Sequence, residues 1–233
     1  MNASQQGPVQ REAASATIIR APRLLIFDDF LPAPLLSDLL EFTLENENAF
    51  EPAEVVRDGA GRVDPAVRRS GLCKLGLGPH EAAFEKAIHA RYDDIASGLG
   101  LTPFALASTE LQLVAHGDNA FYKPHIDTLV GVSAASKKSV RVVSCVYYFH
   151  REPKRFTGGE IAIYPFGKDE KTEVVKPVQN RLLAFPSFAR HEVREVISPS
   201  GTFADSRFAI NCWLRKERGT PHSASVDRQP GGS

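Results

Sequence analysis

The chain has 233 residues, of which 42% are hydrophobic, and its 28 basic residues balance its 28 acidic residues. A formal net charge of zero gives no general attraction to nucleic acid or to an anionic membrane. The length suits one domain with a sizeable core, and no apolar run reaches the roughly 18 residues needed to cross a bilayer.

The three cysteines, Cys73, Cys145 and Cys212, are scattered, and two of them lie inside apolar, strand-like runs. This usage favours reduced, buried thiols over a disulfide framework. Residues 1–6 lack the basic-then-apolar layout of a signal peptide. We therefore expect a soluble cytoplasmic protein.

Composition divides the chain into a central domain and two tails. Residues 1–19 and 219–233 are polar and without sustained periodicity, which predicts flexible tails around a domain at 20–218. Near the start of the domain, residues 23–30 predict a short strand, and the leucines after Pro34 predict a helix.

Residues 55–67 predict a loop or hairpin, and residues 68–73 a strand. Apolar residues at intervals of three and four then predict one amphipathic helix over residues 79–99.

From residue 108 the hydrophobic pattern changes to that of strands. Strands are predicted at residues 110–116, 140–150, 158–164, 181–185, 192–197 and 207–214. Helices followed by a run of strands, without alternation between the two, indicate a mainly β protein with supporting helices on one side of an antiparallel sandwich or barrel.

His125 and Asp127 stand two positions apart directly after a predicted strand. In extended backbone, residues i and i+2 point to the same side, so both side chains can reach one metal ion while Ile126 turns away into packing. One more histidine would complete the set of two histidines and one carboxylate that suits non-haem Fe(II). The triplet also fits a surface turn in which Asp127 caps a backbone amide.

His191 is the best candidate for the second imidazole. It follows an apolar strand and a proline-bearing turn and opens the next strand, a layout that projects it from the rim of a sheet. A histidine hydrogen-bonded at a strand end shows the same pattern, and His116 and His150 also lie on strand-like segments.

Arg207 heads a largely apolar strand. One face of this strand carries Phe208, Ile210, Cys212 and Leu214, and the other carries Arg207, Ala209, Asn211 and Trp213. A guanidinium is costly to bury without an anionic partner, and its planar fork matches a carboxylate. The partner is either a ligand, for which the small Ala209 leaves room, or an Asp or Glu at the sheet end.

Taken in order, His125 and Asp127, the stretch 156–161, His191 and Arg207 resemble the motifs of the Fe(II)- and 2-oxoglutarate-dependent dioxygenases, in particular the prolyl 4-hydroxylase-like branch. The similarity covers roughly residues 23–216 and is most specific over 111–214. The resemblance implies a double-stranded β-helix, or jelly roll, packed by N-terminal α-helices.

The resemblance also implies the roles of individual residues. His125, Asp127 and His191 would be the iron ligands, and Arg207 would bind the distal carboxylate of 2-oxoglutarate. Tyr148, or Tyr147 if the register slips, would contact the same carboxylate. The expected cofactors and co-substrates are Fe(II), 2-oxoglutarate and O2, with ascorbate as a reductant.

Two features go beyond the shared motifs. His116 stands where many relatives carry tyrosine, so the contact usually made from that position is not carried over. Residues 128–139 are rich in small residues and predict either a lid over the site or an ordinary polar connection.

The expected activity is hydroxylation of an unactivated C–H bond in a prolyl residue, peptide or amino-acid-like substrate, with release of succinate and CO2. Arg69, Tyr122 and Arg141 are pocket candidates that do not decide among proteins, peptides and small molecules. Nucleic acid and membrane partners are not expected, and the oligomeric state is not predicted. The alternative is a non-catalytic jelly-roll module that binds metal and 2-oxoglutarate as a sensor.

Overall fold

Two antiparallel sheets that face each other dominate the computed structural model, which describes residues 23–57, 60–128, 138–166 and 171–218. In spatial order, the larger sheet contains Leu25–Phe27, Arg181–Pro186, Ser139–Phe149, Arg207–Glu217, Leu106–His116, Gly71–Cys73 and Phe50–Pro52. The smaller sheet contains Glu173–Val175, Ile161–Ile163, His191–Val193, Phe121–His125 and Arg68–Arg69. Two further pairs join Thr157–Gly158 to Val196–Ile197 and Val55–Arg57 to Ala60–Arg62.

The predicted tails at 1–19 and 219–233, and most of the predicted lid at 128–139, lie outside the described residues. The predicted domain limits therefore stay predictions. Within the described ranges, no helix has the length and apolar character that a bilayer span requires.

Three α-helices occur in the described ranges, at Ala33–Glu45, Glu81–His89 and Tyr92–Gly98. The first begins after Pro32, with Pro34 in its opening turn, where the missing N–H costs nothing. The prediction of one helix over 79–99 was wrong. The amide of Arg91 bonds to the carbonyl of Ile88 and not to the residue four positions back, and this tighter turn separates two short helices.

Alternating side chains of the long strands divide the interior into two cores. Tyr147, Phe149, Phe208 and Ile210 face the helices, where they pack with Leu39, Phe84 and Ile88. Val146, Tyr148 and Ala209 face the opposite way and meet residues of the smaller sheet such as Ile161. The predicted division of the last strand into two faces is confirmed, and the helices lie on one side of the sandwich as expected.

Asn180 ties the start of the first helix to the larger sheet. Its side-chain oxygen accepts hydrogen bonds from the amide of Leu31 at 2.9 Å and the hydroxyl of Tyr147 at 2.8 Å. Its side-chain amide donates to the carbonyl of Leu31 at 2.9 Å. All three partners are buried, so the side chain holds helix and sheet together.

We predict that Asn180→Ala lowers the free energy of unfolding by about 2–4 kcal/mol, because it leaves buried groups of Leu31 and Tyr147 without partners. Asn119→Ala is the matched control: Asn119 has the same left-handed backbone, with φ of 59° against 58° for Asn180, but is exposed. Urea denaturation measures both. An equal loss of unfolding free energy in the two variants would assign the effect to the left-handed backbone and not to the hydrogen bonds of the Asn180 side chain.

Candidate metal centre

The strand register of the smaller sheet brings the three predicted ligands together. His191 pairs directly with His125 across neighbouring strands, and Asp127 follows His125 just past the strand end. One ligand atom from each of the three residues lies within 4.8 Å of the others. The Nε2 atoms of His125 and His191 are each 3.6 Å from an oxygen of Asp127.

Backbone carbonyls orient both imidazoles. Nδ1 of His125 donates to the carbonyl of Lys123 at 2.8 Å, and Nδ1 of His191 donates to that of Ala189 at 2.9 Å. A carbonyl only accepts, so in each neutral ring the lone pair is on Nε2, which faces Asp127. Burial lowers the pKa of His191 despite the opposing charge of Asp127, which favours the neutral, ligating form.

Asp127 is held by two buried serines. The hydroxyl of Ser144 donates to Oδ2 of Asp127 at 2.6 Å and lies 2.9 Å from the hydroxyl of Ser187. The carbonyl of Ser187 accepts the amide of Asp127 at 3.0 Å. Burial would raise the pKa of Asp127, but the facing imidazoles of His191 and His125 and the bond from Ser144 outweigh it and hold that pKa well below its usual value.

The two residues beside the ligands behave differently. Ile126 was predicted to turn into packing, which is wrong: it is 39% exposed and lines the cavity, because the chain bends after His125 instead of continuing as a strand. The ring of Tyr122 stacks on that of His125, with centroids 3.6 Å apart. Tyr122 therefore supports the imidazole of His125 from the cavity wall.

Arg207 lies deep in the same cavity and is 1% exposed. Its Nη1 donates to Nδ1 of His116 at 3.2 Å, whereas its Nε and Nη2 are buried without a hydrogen-bond partner. Among the described residues, no carboxylate forms an ion pair with it. Burial lowers the pKa of Arg207, so the cation is held at a cost that an anionic ligand would offset.

Tyr148 is the tyrosine that faces Arg207. Its ring centre is 4.8 Å from the Arg207 guanidinium carbon, and its hydroxyl is a third buried group without a partner. Burial raises the pKa of Tyr148 to about 12, so the hydroxyl keeps its proton and can donate a hydrogen bond to an anion. Tyr147 points into the helix-facing core, where its hydroxyl bonds to Asn180. Tyr148, and not Tyr147, is therefore the tyrosine beside Arg207.

Gly159, in the stretch 156–161, leaves room for the arginine. A Cβ atom on Gly159 would lie 2.7 Å from Cδ of Arg207. The backbone of Gly159 is also left-handed, with φ of 71°. A side chain there would force Arg207 to shift from its position.

His116 pairs in register with Arg207 on the neighbouring strand and is buried. A guanidinium only donates, so Nδ1 of His116 accepts and the proton of the neutral ring is on Nε2. Burial, then Arg207 and Arg68, lower the pKa of His116 well below its usual value. The hydrogen bond from Arg207 to His116 thus helps to orient the guanidinium group.

The cavity has a volume of about 180 Å³. It is lined by His125, Asp127 and His191 and by Arg207 and His116. The remaining lining consists of apolar side chains and of Gln112, Asn211, Trp213, Tyr122, Arg68, Arg141 and Glu54. Of the pocket candidates, Tyr122 and Arg141 line it. Arg69 does not: Arg68 takes that place, because alternate residues of the short strand face opposite ways.

Sequence reasoning missed Ser144, Ser187 and Arg68. The only signal for Ser144 was a polar residue on the inward face of an otherwise apolar strand, the face that also carries Val146 and Tyr148.

Two imidazoles and a carboxylate are a fitting donor set for Fe(II). The unpartnered groups of Arg207 and Tyr148 fit a carboxylate-bearing co-substrate.

We predict that Ser144→Ala weakens binding of Co(II), a probe for Fe(II), by roughly tenfold or more, because the carboxylate of Asp127 loses the bond that orients it. Calorimetric titration of the metal measures the change. Ser198→Ala is a control, since Ser198 is equally buried but bonds to the carbonyl of Asp205. Equal affinities in wild type and Ser144→Ala would contradict this role.

Residues 111–215 match the family model of the 2OG-Fe(II) oxygenase superfamily. The chain is also 36% identical over 143 residues to an uncharacterized PKHD-type hydroxylase from Synechocystis sp., an alignment that covers 58% of this chain and 46% of that protein. The chain thus spans about half the length of this curated relative.

Solved structures share the fold. A prolyl 4-hydroxylase from Pseudomonas putida superposes with a TM-score of 0.60 at 23% identity, covering 85% of this chain and 94% of the other. A prolyl hydroxylase from Trichoplax adhaerens, in complex with a hypoxia-inducible factor peptide fragment, gives 0.58 at 20% identity, covering 82% of each chain.

The family match contains the three facing ligands and Arg207, and the fold of the whole described region agrees with it. Residues 111–215 are therefore similar to the 2OG-Fe(II) oxygenase superfamily, and the chain shares its fold with prolyl 4-hydroxylases.

Proposed function

We propose that this protein is an Fe(II)- and 2-oxoglutarate-dependent dioxygenase that hydroxylates a C–H bond of a prolyl residue, a peptide or an amino-acid-like substrate, with release of succinate and CO2. The observation that carries the proposal is the buried, partly unpartnered Arg207 in the same cavity as the three facing ligands. A site for metal alone would not need this cation.

Each group has a defined task in this proposal. His125, Asp127 and His191 would hold Fe(II), and the bound iron would supply the oxidative chemistry that 2-oxoglutarate-dependent hydroxylation needs. Arg207 and Tyr148 offer three otherwise unused groups to the distal carboxylate of 2-oxoglutarate.

The surrounding residues keep these groups in place. The carbonyls of Lys123 and Ala189 fix the two imidazoles, and Ser144 fixes the carboxylate. Val146, Ile161 and Val193 line the cavity with apolar surface that limits water near the reacting atoms. Ascorbate as a reductant and a cytoplasmic location belong to the same proposal.

We predict that the purified protein, given Fe(II), ascorbate and 2-oxoglutarate, releases succinate slowly without substrate, and that His125→Ala and Asp127→Ala abolish the release. Succinate is quantified by mass spectrometry. His89→Ala is the control, because His89 is exposed and bonds to Thr109 away from the cavity. Unchanged turnover in the ligand variants would remove these residues from the metal site.

We predict that Arg207→Ala weakens 2-oxoglutarate binding by roughly 10- to 100-fold, the loss expected for a charged hydrogen-bonded contact, while Co(II) affinity is kept. Tyr148→Phe should weaken 2-oxoglutarate binding less. Tyr147→Phe is the matched control, since its hydroxyl serves Asn180.

Calorimetric titration at saturating metal measures these affinities. Unaltered 2-oxoglutarate affinity in Arg207→Ala would exclude Arg207 from the co-substrate site.

The substrate is sought by mass spectrometry of peptides and free amino acids incubated with the complete system, as products that gain one oxygen atom. The peptide in the Trichoplax complex makes peptides the first set to test. Tight binding of Fe(II) and 2-oxoglutarate without any succinate would favour the sensor alternative.

A further inference from the structure

Three arginines line the cavity, and their charges are compensated differently. Arg207 is the deep one, assigned above to the co-substrate. Arg141 and Arg68 come from the larger and the smaller sheet, respectively. Arg141 or Arg68 is available to a ligand only if no carboxylate of the protein already pairs with it.

Arg141 already has a carboxylate. Its Nε donates to Oε2 of Glu110 at 3.1 Å, its Nη2 bonds to the other oxygen, and its guanidinium carbon lies 3.6 Å from the ring centre of Trp213. Glu110 also accepts Nη1 of Arg215 at 2.6 Å. One carboxylate serves two guanidiniums, so this wall keeps a net positive charge.

Arg68 has no such partner among the described residues. Its Nε donates to the hydroxyl of Ser70 at 2.8 Å, and its Nη1 donates to the backbone carbonyl of Glu54 at 3.3 Å, both neutral acceptors. Its guanidinium carbon lies 5.0 Å from the ring centre of Tyr122, the ring that stacks on His125. Arg68 is therefore one aromatic ring away from a metal ligand.

The electrostatic setting of Arg68 favours an incoming anion. Burial lowers its pKa, and the positive charge of Arg141 acts in the same direction, while Tyr122 and Asp127 oppose them. Asp127 is committed to the metal site, so its charge is shared with the metal once that site is filled. An anion beside Arg68 would then offset both burial and the repulsion from Arg141.

We propose that Arg68 binds a carboxylate of the substrate, so that the protein acts on acids and not on their neutral counterparts. This inference rests on the proposed function, because it places the substrate in the cavity of the iron and co-substrate site. The planar fork of arginine matches a carboxylate, and Nη2 has no recorded partner among the described residues. The carboxylate is either that of an amino acid or that of an acidic side chain in a peptide.

The test compares acids with their amides at a loaded site. Protein with Zn(II), a redox-inert metal, and saturating 2-oxoglutarate is titrated with N-acetyl-alanine and N-acetyl-alaninamide. It is also titrated with the capped peptides acetyl-Ala-Asp-Ala-amide and acetyl-Ala-Asn-Ala-amide. Ligand-observed NMR gives the dissociation constants, and saturation with 2-oxoglutarate keeps the probes away from Arg207.

We expect wild type to prefer the acid of at least one pair by roughly tenfold or more. The pair that shows the preference identifies the source of the carboxylate. Arg68→Gln should abolish the preference. Arg69→Gln should retain it, since the neighbouring Arg69 lies outside the cavity, against Phe121 and the carbonyl of Pro65.

The proposal is overturned if wild type shows no preference in either pair, including no binding of any probe, or if Arg68→Gln keeps the preference. Should Arg68→Gln fail to fold, Arg68→Lys keeps the charge without the fork and must weaken the preference severalfold; an unchanged preference also overturns the proposal. Succinate release without probe is scored separately, so failure of the dioxygenase proposal is distinguishable from failure of this one.

Discussion

The site depends on a buried guanidinium that has no carboxylate partner among the described residues. Arg207 is 1% exposed, and its Nη1 donates a hydrogen bond to the neutral ring of His116. Burying such a cation costs free energy, and two donors without hydrogen-bond partners do not compensate for that cost. Arg207 opens a central strand of the larger sheet, which pairs with one neighbour from Arg207 and with the other from Phe208 onward.

The metal centre, in contrast, is assembled by the smaller sheet. Direct pairing of His191 with His125 brings together two residues that are far apart in the chain. Backbone carbonyls bind Nδ1 of both rings, so that both Nε2 atoms face Asp127. Ser144, on the larger sheet, donates a hydrogen bond to Asp127. The two sheets thus contribute different parts: the smaller one carries both histidines, and the larger one carries Ser144, which orients Asp127, together with Arg207 and Tyr148.

Much of this was predictable from the sequence, because the decisive signals are periodic or short. Alternation assigned the two faces of the strand that begins at Arg207, and the spacing of His125 and Asp127 indicated that both side chains can reach one metal ion. Contacts between distant segments left no such signal. Periodicity does not determine where a turn tightens or a strand ends. It therefore did not predict that the helix is interrupted before Tyr92, that Ile126 is exposed, or that Arg68 and not Arg69 lines the cavity.

Three arginines and two acidic residues, Asp127 and Glu54, line the cavity, and the carboxylate that Arg141 shares with Arg215 belongs to Glu110, which is not among the lining residues. This balance suits an anionic co-substrate beside the metal. The most direct test is a single turnover: protein is loaded anaerobically with Fe(II) and isotopically labelled 2-oxoglutarate and then exposed to O2. The account predicts succinate and CO2 in amounts stoichiometric with iron. Bound 2-oxoglutarate that stays intact, or no binding at all, would contradict it.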